Sequence, residues 1–328
     1  MADDPPPKKK RRPFWRKRIR RSTAAGEHRP VLLAEVLDAL KPQPGQTVVD
    51  CTLGFAGHSV ELLKAVAPDG LLVATDLDPA NLDPARAKLD AVGGLYTLHH
   101  TNFAGLQYAL AAEGAAQVHG LLADLGMSSM QVDDRGRGFS FMRPGPLDMR
   151  MDPTRGRTAA DLLAALPEDE LASVFRDLGD EPRADLIAAA LVQRRATQPV
   201  TTTKELREFV EAAAPVTIDR TPGAPTERRQ KLAPVTRVFQ ALRIRVNREL
   251  DNLKQLLRVL PDILSPGGTA AVISFHSGED RLVKAAFRDG LRAGVYAAVS
   301  DDPIRPTFEE RKANPRSRSA KLRWARRA

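Results

Sequence analysis

The strongest constraint on the fold of this chain is an apolar run that ends in an acid and passes directly into a glycine-bearing turn, at residues 48–59. The run Val48-Val49-Asp50 predicts a buried strand, and apolar residues at helical spacing follow the turn. Because Gly54 and Gly57 carry no side chain, backbone N–H groups of the turn can approach a ligand closely. The stretch therefore predicts a strand, a ligand-binding turn and a helix.

A second predicted strand, Leu71–Asp76, also ends in an acid. An acid at that place can hydrogen-bond a ribose hydroxyl, so Asp76 indicates an adenosine ligand. Asp50 precedes the glycines, where a nicotinamide site normally has no acid, whereas the cationic amino-acid end of S-adenosylmethionine needs a counter-charge. The two acids favour S-adenosylmethionine over a dinucleotide. The turn is not a clean GxGxxG, so a loop that only redirects the chain is the alternative.

Strands and helices alternate along the first part of the chain, which predicts an α/β fold with a doubly wound parallel sheet. Further strands are expected at residues 95–100, 119–125 and 269–275. The carboxyl edge of such a sheet is where ligands bind, so the acids that end these strands should meet there.

The alternation is interrupted between strands four and five. Residues 131–157 are irregular, and Thr158-x-x-Asp161 and Thr202-x-x-Glu205 are capping signals in the helical block that follows. One long amphipathic helix is expected over residues 235–260. We therefore predict four segments: a disordered basic tail at residues 1–26, core residues 28–132, an inserted loop and helical substrate-recognition domain at residues 133–233, and core residues 234–328.

The positive charge lies at the two ends of the chain. Of the formal net charge of +9, residues 1–22 carry +8 and residues 311–328 carry +8, which leaves −7 for the middle. Basic ends predict terminal arms that grip a polyanion, and a pair of solubilising tails is the alternative.

The composition also excludes several classes of protein. No apolar run approaches transmembrane length, and the basic N-terminus lacks the apolar segment of a secretory signal. Cys51 is the single cysteine, so no internal disulfide can form, which suits a reducing cytoplasm. There is no CxxC or HxxxH pair, and the adjacent His99 and His100 should point to opposite faces of a strand. We expect a cytoplasmic protein with no metal and no membrane contact.

Six sequence blocks stand in order along residues 28–328, and the third contains the run GFSFMRPGPLDMRMDP. The blocks are Asp50–Ser59, Leu122–Ser129, Arg137–Pro153, Thr236–Ile244, Ile273–Ser277 and Asn314–Arg323. Together they resemble the MraW/RsmH family of bacterial small-subunit ribosomal RNA cytosine N4-methyltransferases. The third block is far more specific to that family than the glycine turn.

The resemblance implies a class I, Rossmann-like methyltransferase core. It implies transfer of a methyl group from S-adenosylmethionine to the exocyclic N4 of a cytidine in the decoding region of 16S ribosomal RNA. The small ribosomal subunit is then the partner, and a homodimer is left open. By position, donor binding carries over to Ala56, Gly57, His58, Asp76, Phe103, Asp124 and Gln131. Three positions depart from the family pattern: Ala56 replaces a frequent Gly, Met130 a Pro and Gly278 a Leu.

A cytosine amino group is a poor nucleophile because its lone pair is delocalised into the ring. An enzyme must therefore orient the nitrogen and accept hydrogen bonds from it. Asp124 ends the fourth strand beside the expected methyl group and is the candidate acceptor, while Phe103 is expected to pack on adenine. DNA amino-methyltransferases carry a D/N-P-P-aromatic element at this place, and this chain lacks it.

Base stacking must then come from other residues. Phe139 and Phe141 are candidates, because extruded bases are held between aromatic or apolar side chains, and core filling under the loop is the alternative. Arg143 and Arg150 are candidate contacts to RNA. His276 is a candidate residue across the active site, with a buried structural histidine as the alternative.

Two other classes remain open. A ribosome-assembly module would keep the fold and bind RNA without turnover, and a nucleotide-dependent oxidoreductase would use the same kind of sheet. Acids at the ends of three strands favour the methyltransferase, since a pure binding module has no need of them. The acid before the glycines disfavours the oxidoreductase.

Overall fold

The computed structural model describes residues 29–221 and 223–328, and within them seven strands form a single sheet. The strands are β1 Thr47–Asp50, β2 Leu71–Asp76, β3 Leu95–His100, β4 Val118–Asp124, β5 Leu264–Ser274, β6 Tyr296–Val299 and β7 Lys321–Arg327. Their order across the sheet is β3-β2-β1-β4-β5-β7-β6. Neighbouring strands from β3 to β5 are parallel, and β7 is antiparallel to both β5 and β6. The expected α/β, Rossmann-like class is confirmed.

Helices connect the strands and also fill a long segment between β4 and β5. In chain order they are α1 Leu33–Leu40, α2 Gly57–Val66, α3 Leu82–Val92, α4 Leu106–Ala112, α5 Ser129–Asp133, α6 Ala159–Ala165, α7 Glu168–Ser173, α8 Ala184–Arg195, α9 Thr203–Ala213, α10 Glu227–Lys231, α11 Ala233–Asn247, α12 Glu249–Ile263, α13 Ser277–Arg292 and α14 Phe308–Ala313.

Both faces of the sheet are buried. Consecutive strand residues point to opposite faces, so Val48 packs in one cluster with α1, α2 and α3. Val49 packs in another cluster with α4, α12 and α13. Burial on both sides explains why the strands are near-continuous apolar runs. It also leaves the carboxyl ends of β1, β2 and β4 side by side at one edge of the sheet.

Between β4 and β5, helices α6 to α9 and α11 bury a separate apolar cluster, which includes Phe175, Leu206 and Leu242. Capping boxes begin α6 and α9, as the sequence predicts. The side chain of Thr158 accepts from the N–H of Asp161 in the first, and Thr202 accepts from the N–H of Glu205 in the second. This helical block therefore has a core of its own beside the sheet.

The prediction of one long helix over residues 235–260 is wrong. α11 ends at Asn247, Arg248 has a left-handed φ of 51°, and α12 begins at Glu249. The side chain of Asn247 stabilises the break, because its amide donates to the carbonyl of Met149 at 2.8 Å and its oxygen accepts from the N–H of Met151 at 2.7 Å. The apolar spacing continues through this break, so periodicity alone could not reveal it.

The predicted disordered tail, residues 1–26, lies outside the described residues. Of the helices in residues 29–221 and 223–328, none is long and apolar enough to cross a membrane.

Candidate active site at the carboxyl edge of the sheet

A cavity opens where β1, β2 and β4 end. Its wall consists of the turn after β1, the ends of β2 and β4, the start of α12 and the segment between α14 and β7. Most of the predicted donor-binding residues lie on this wall, namely Gly57, His58, Asp76, Phe103, Asp124 and Gln131. The structure thus collects residues from distant parts of the chain around one space.

Asp50 lies beneath the turn rather than on the cavity wall, and it is only 1% exposed. Its carboxylate accepts from the Ser59 hydroxyl at 2.6 Å and from the N–H of Thr52 at 3.0 Å. The Thr52 hydroxyl in turn accepts from the N–H of Asp124 at 2.7 Å. The Asp50 carboxylate therefore joins the turn to α2, and its predicted contact with the donor stays a prediction.

The backbone of the turn is left-handed at two places, Gly54 with φ 48° and Ala56 with φ 59°. A Cβ is disfavoured in that region, which is the physical reason for a glycine at the position of Ala56 in the family pattern. Ala56 is fully buried and does not line the cavity, so its predicted donor contact is not supported. A Cβ on Gly57 would lie 3.3 Å from the ring of Pro30, so that ring fills the space beside this glycine.

Asp76 is held in one orientation at the end of β2. Its carboxylate accepts from the N–H of Gly54 at 2.7 Å, from the N–H of Asp78 at 2.7 Å and from the Asn81 amide at 3.2 Å. Burial raises the pKa of Asp76 to about 6, and these donors oppose the rise. A carboxylate has about four lone-pair sites, so Asp76 can still accept one hydrogen bond from a hydroxyl group of a ligand in the cavity.

Asp124 is the most unusual group of the wall. Its side chain is 24% exposed, yet Oδ1 is buried and has no hydrogen-bond partner. Burial raises the pKa of Asp124 to about 7, His58 lowers it, and the negative charges of Asp50 and Glu279 raise it. A buried carboxylate oxygen without a donor costs free energy, so it marks a place where a ligand donor fits.

His58 faces Asp124 from the first turn of α2. Its Nε2 lies 2.9 Å from the carbonyl of Val31, a geometry that requires Nε2 to carry a proton and donate it. Its Nδ1 lies 3.7 Å from Asp124 Oδ2. In the neutral ring, the nitrogen directed at Asp124 therefore has a free lone pair.

Gln131 and Phe103 lie on the wall in different ways. The amide of Gln131 donates to Asp78 at 3.0 Å, and its oxygen accepts from the N–H of Ser128 at 3.0 Å as half of a capping box. Arg137 also contacts Asp78, at 2.8 Å. Phe103 is partly buried against the cluster beneath α12, which leaves part of its ring for an apolar ligand surface.

The four predicted substrate-binding residues do not line the cavity. Phe139 is 6% exposed within the helical core, and Phe141 packs edge-to-face on Phe239 with ring centroids 5.3 Å apart. Core filling, the alternative reading, describes both rings. Arg150 pairs with the neighbouring Asp148 at 2.8 Å, and Arg143 pairs with Asp133 at 2.8 Å.

His276 is likewise not on the wall. It caps α13, where its Nδ1 accepts from the N–H of Glu279 at 3.4 Å and its Nε2 lies 3.1 Å from a Glu279 oxygen. These contacts favour a structural role for His276 over a position across the active site. Although burial opposes the change, the contacts with His276 and Arg243 hold the pKa of Glu279 below its ordinary value.

Sequence reasoning missed several residues of the wall, among them Asn247, Glu249, Glu279, Asn314 and Arg316. Asn314 and Arg316 belong to the sixth family block, which is the signal that could have found them. Glu249, His276 and Glu279 bring ligand atoms within 4.8 Å of one another, the spacing of a metal site. Arg243 already provides the positive charge there, with bonds of 2.8 and 2.9 Å to Glu249.

The chain is similar in sequence to known proteins over nearly its whole length. The model of the MraW methylase family matches residues 25–328. Ribosomal RNA small subunit methyltransferase H of Syntrophotalea carbinolica is 44% identical over 316 residues, covering 92% of this chain and 98% of that protein. Ribosomal RNA small subunit methyltransferase H 1 of Lachnoclostridium phytofermentans is 43% identical over 312 residues, covering 93% of this chain and 82% of that protein.

A solved structure described as a putative rRNA-methylase from Clostridium thermocellum aligns with a TM-score of 0.42 and 11% identity, over 92% of this chain and all of that one. The family match and the two relatives each span nearly the whole chain, and they confirm the resemblance of the six blocks. This chain belongs to the MraW methylase family.

Proposed function

We propose that this protein transfers a methyl group from S-adenosylmethionine to the exocyclic N4 of a cytidine in 16S ribosomal RNA, in the decoding region of the small subunit. The observation that supports it most is the unpartnered, buried Oδ1 of Asp124 on the wall of the cavity. Family membership supports the class of reaction, and the names of the relatives support the class of substrate.

The residues present fit the methyl donor. Asp76 would accept from a ribose hydroxyl, Phe103 would pack on the adenine, and Gly57 and His58 would border the methionyl part. The donor supplies, when bound, a methyl group on a positively charged sulfur. The ionised forms of Asp76 and Asp124 favour a cation in this space, since opposite charges within a few ångström attract.

Asp124 would act on the target amine. Its Oδ1 accepts an N–H of the amine, which orients the nitrogen lone pair and stabilises the positive charge that develops on nitrogen. After attack the nitrogen carries one proton too many. The Asp124 carboxylate can accept that proton and release it to water, because its side chain is 24% exposed.

Residues 133–233 are our proposal for the substrate-recognition domain. They include most of the helical block, whose core is separate from that of the sheet and also contains residues of α11. They also include the irregular segment that flanks the cavity. Location in the cytoplasm and a homodimer stay predictions, to be checked by fractionation and by sedimentation of the purified protein.

A methyl-transfer assay tests the proposed function. Purified protein is incubated with S-adenosylmethionine carrying a labelled methyl group and with small subunits from cells that lack this protein. We expect label in the RNA of the small subunit. Binding of the subunits without transfer of label would favour the assembly-module alternative.

We expect Asp76→Ala to weaken S-adenosylmethionine binding by about 10-fold or more, because a hydrogen bond to a charged acceptor is lost. Calorimetric titration with the donor measures this change. Asp76→Asn is the control, since it keeps the side-chain volume and one acceptor for the Gly54 N–H. Unchanged donor affinity in the alanine variant would remove Asp76 from the ribose site.

Removal of residues 1–26 should lower affinity for the small subunit and flatten its salt dependence. Each lost contact to a phosphate of single-stranded RNA takes about 0.7 from the slope of log affinity against log salt. The methylated position should stay the same, because phosphate contacts position the protein without reading sequence. Equal slopes for the full and shortened chains would show that the tail does not contact RNA.

A further inference from the structure

The segment between α14 and β7 carries the sixth family block, to which the proposed chemistry gives no role. It is fixed against the first described residues of the chain. The Asn314 amide donates to the carbonyl of Arg29 at 3.3 Å, and the N–H of Leu32 donates to the Glu310 carboxylate at 3.0 Å. Ser317 is fully buried, and its hydroxyl donates to the carbonyl of Asn314 at 2.9 Å. The segment therefore forms a rigid part of the cavity wall.

Arg316 extends from this segment to the cavity. Its Nη2 lies 3.4 Å from Asp133 Oδ2, and the same carboxylate is bound by Arg143, whose Nη2 lies 2.8 Å from Oδ1. Two guanidinium groups thus share one carboxylate, which leaves one positive charge uncompensated in the trio. Arg316 Nη1 is buried and has no hydrogen-bond partner.

An arrangement of this kind is costly without a ligand. A guanidinium presents five N–H donors. A buried donor that bonds neither protein nor water has lost its hydration without a compensating hydrogen bond, which costs free energy. Burial also lowers the pKa of Arg316 from its ordinary value, although Asp133 opposes this. An anionic oxygen placed at Nη1 would satisfy the donor and neutralise the excess charge together.

The other charged groups of the wall restrict where an anion can bind. Asp76, Asp124, Glu249 and Glu279 also line the cavity, and negative charges repel an anion. Arg29 lies on the wall with Arg316 and adds positive charge to the wall. The wall therefore carries acids at the ends of β2 and β4 and on α12 and α13, whereas its arginines are Arg29, before α1, and Arg316.

We propose that Arg316 binds an anionic oxygen of a ligand in the active-site cavity through Nη1. The inference rests on the proposed function, which brings two such groups to this cavity. One is a phosphate next to the target cytidine, and the other is the carboxylate of the methionyl part of the donor. The chemistry of recognition is the same for both.

The test compares Arg316→Gln with Arg318→Gln. Both remove one positive charge from the same segment, but Arg318 is exposed and does not line the cavity. Three affinities are measured for each variant: for S-adenosylmethionine, for 5′-methylthioadenosine, which lacks the carboxylate, and for small subunits from cells without this protein. Melting temperatures show whether each variant is folded.

We expect Arg316→Gln to lose about 10-fold or more in one affinity, relative to Arg318→Gln. A loss for small subunits alone identifies a phosphate. A loss for S-adenosylmethionine with normal binding of 5′-methylthioadenosine identifies the carboxylate. Equal affinities in the two variants overturn the proposal, and so does an equal loss for both small ligands, which would mean general damage to the pocket.

Arg316→Lys is the second variant. It keeps a positive charge beside Asp133 but removes the buried Nη1, so it should show the same selective loss even if the glutamine variant is unstable. Normal affinities in the lysine variant contradict a role of Nη1. Failure of the proposed function would be visible separately, as small subunits that the unaltered protein does not methylate.

Discussion

Replacing Asp124 with asparagine is expected to lower the single-turnover rate of methyl transfer by about 10²-fold, the usual effect of one preorganised electrostatic group. Asparagine keeps the size of the side chain and one acceptor oxygen, but it lacks the charge that stabilises the developing ammonium. The rate is measured at saturating S-adenosylmethionine and saturating small subunits. Donor affinity is measured beside it, because Asp124 also faces the donor.

The dependence on pH gives this prediction a second readout. Burial raises the pKa of Asp124 to about 7 in the free protein, so the carboxyl group changes its charge near neutral pH. A cationic donor favours the ionised form, and donor affinity should therefore weaken as the pH falls below about 7. The asparagine variant cannot ionise and should lose that part of the dependence. A near-normal single-turnover rate in the variant would leave Asp124 as a donor-binding or structural residue.

Gly138→Ala is expected to destabilise the protein by about 2–5 kcal/mol, which is the sum of a left-handed backbone cost of about 1–2 and an overpacking cost of about 1–3. Gly138 has φ 73°, and a Cβ there would lie 2.4 Å from the carbonyl oxygen of Pro146 and 2.7 Å from the nitrogen of Asp148. Both obstacles are backbone atoms, so the loop must separate to admit the methyl group. Denaturant unfolding measures the change.

Gly156→Ala is the matched control for this substitution. Gly156 lies in the same irregular segment with φ 83°, but nothing is within 4 Å of its Cβ position. Only the backbone cost of about 1–2 kcal/mol should remain. The Gly138 variant should also bind the donor less well, because Arg137 next to it holds Asp78 and thereby Gln131 on the wall. Equal stabilities of the two variants would show that the loop moves at residue 138 to admit a Cβ at no cost in stability.

The parallel part of the sheet was accessible from the sequence because its signals are local, whereas the antiparallel strands β6 and β7 were not predicted. Strand β2 has the predicted bounds, and Asp76 and Asp124 stand at strand ends that must meet in any parallel sheet. The helix break at Arg248 could not be predicted from the sequence, because a hydrogen bond from the Asn247 side chain to a distant loop stabilises it. Apolar periodicity reports burial of a helix face and is blind to such a contact.

The candidate site could be predicted only in part, because its contacts also join residues that are distant in the sequence. The order of Asp50 before the glycines predicts a binding turn, but the spacing could not reveal that the Asp50 carboxylate bonds inward to Ser59. The aromatic side chain of Phe139 is suitable for base stacking. Its burial depends on helices far along the chain, which the local sequence does not show. Arg316 reaches the cavity because the C-terminal segment folds back across the sheet edge. This depends on tertiary structure, which a local sequence pattern does not show.

Nucleoside mass spectrometry of small-subunit RNA is the most direct test of the central claim. Small subunits from cells that lack this protein are treated with the purified protein and S-adenosylmethionine. One portion of the RNA is digested to nucleosides, and another is digested to oligonucleotides, which locate the methyl group. We predict one added methyl group, on the exocyclic nitrogen of a cytidine in the decoding region, and none with the Asp124→Asn protein over the same short time. No added methyl group, or one on a carbon, a ribose or another base, would contradict the account.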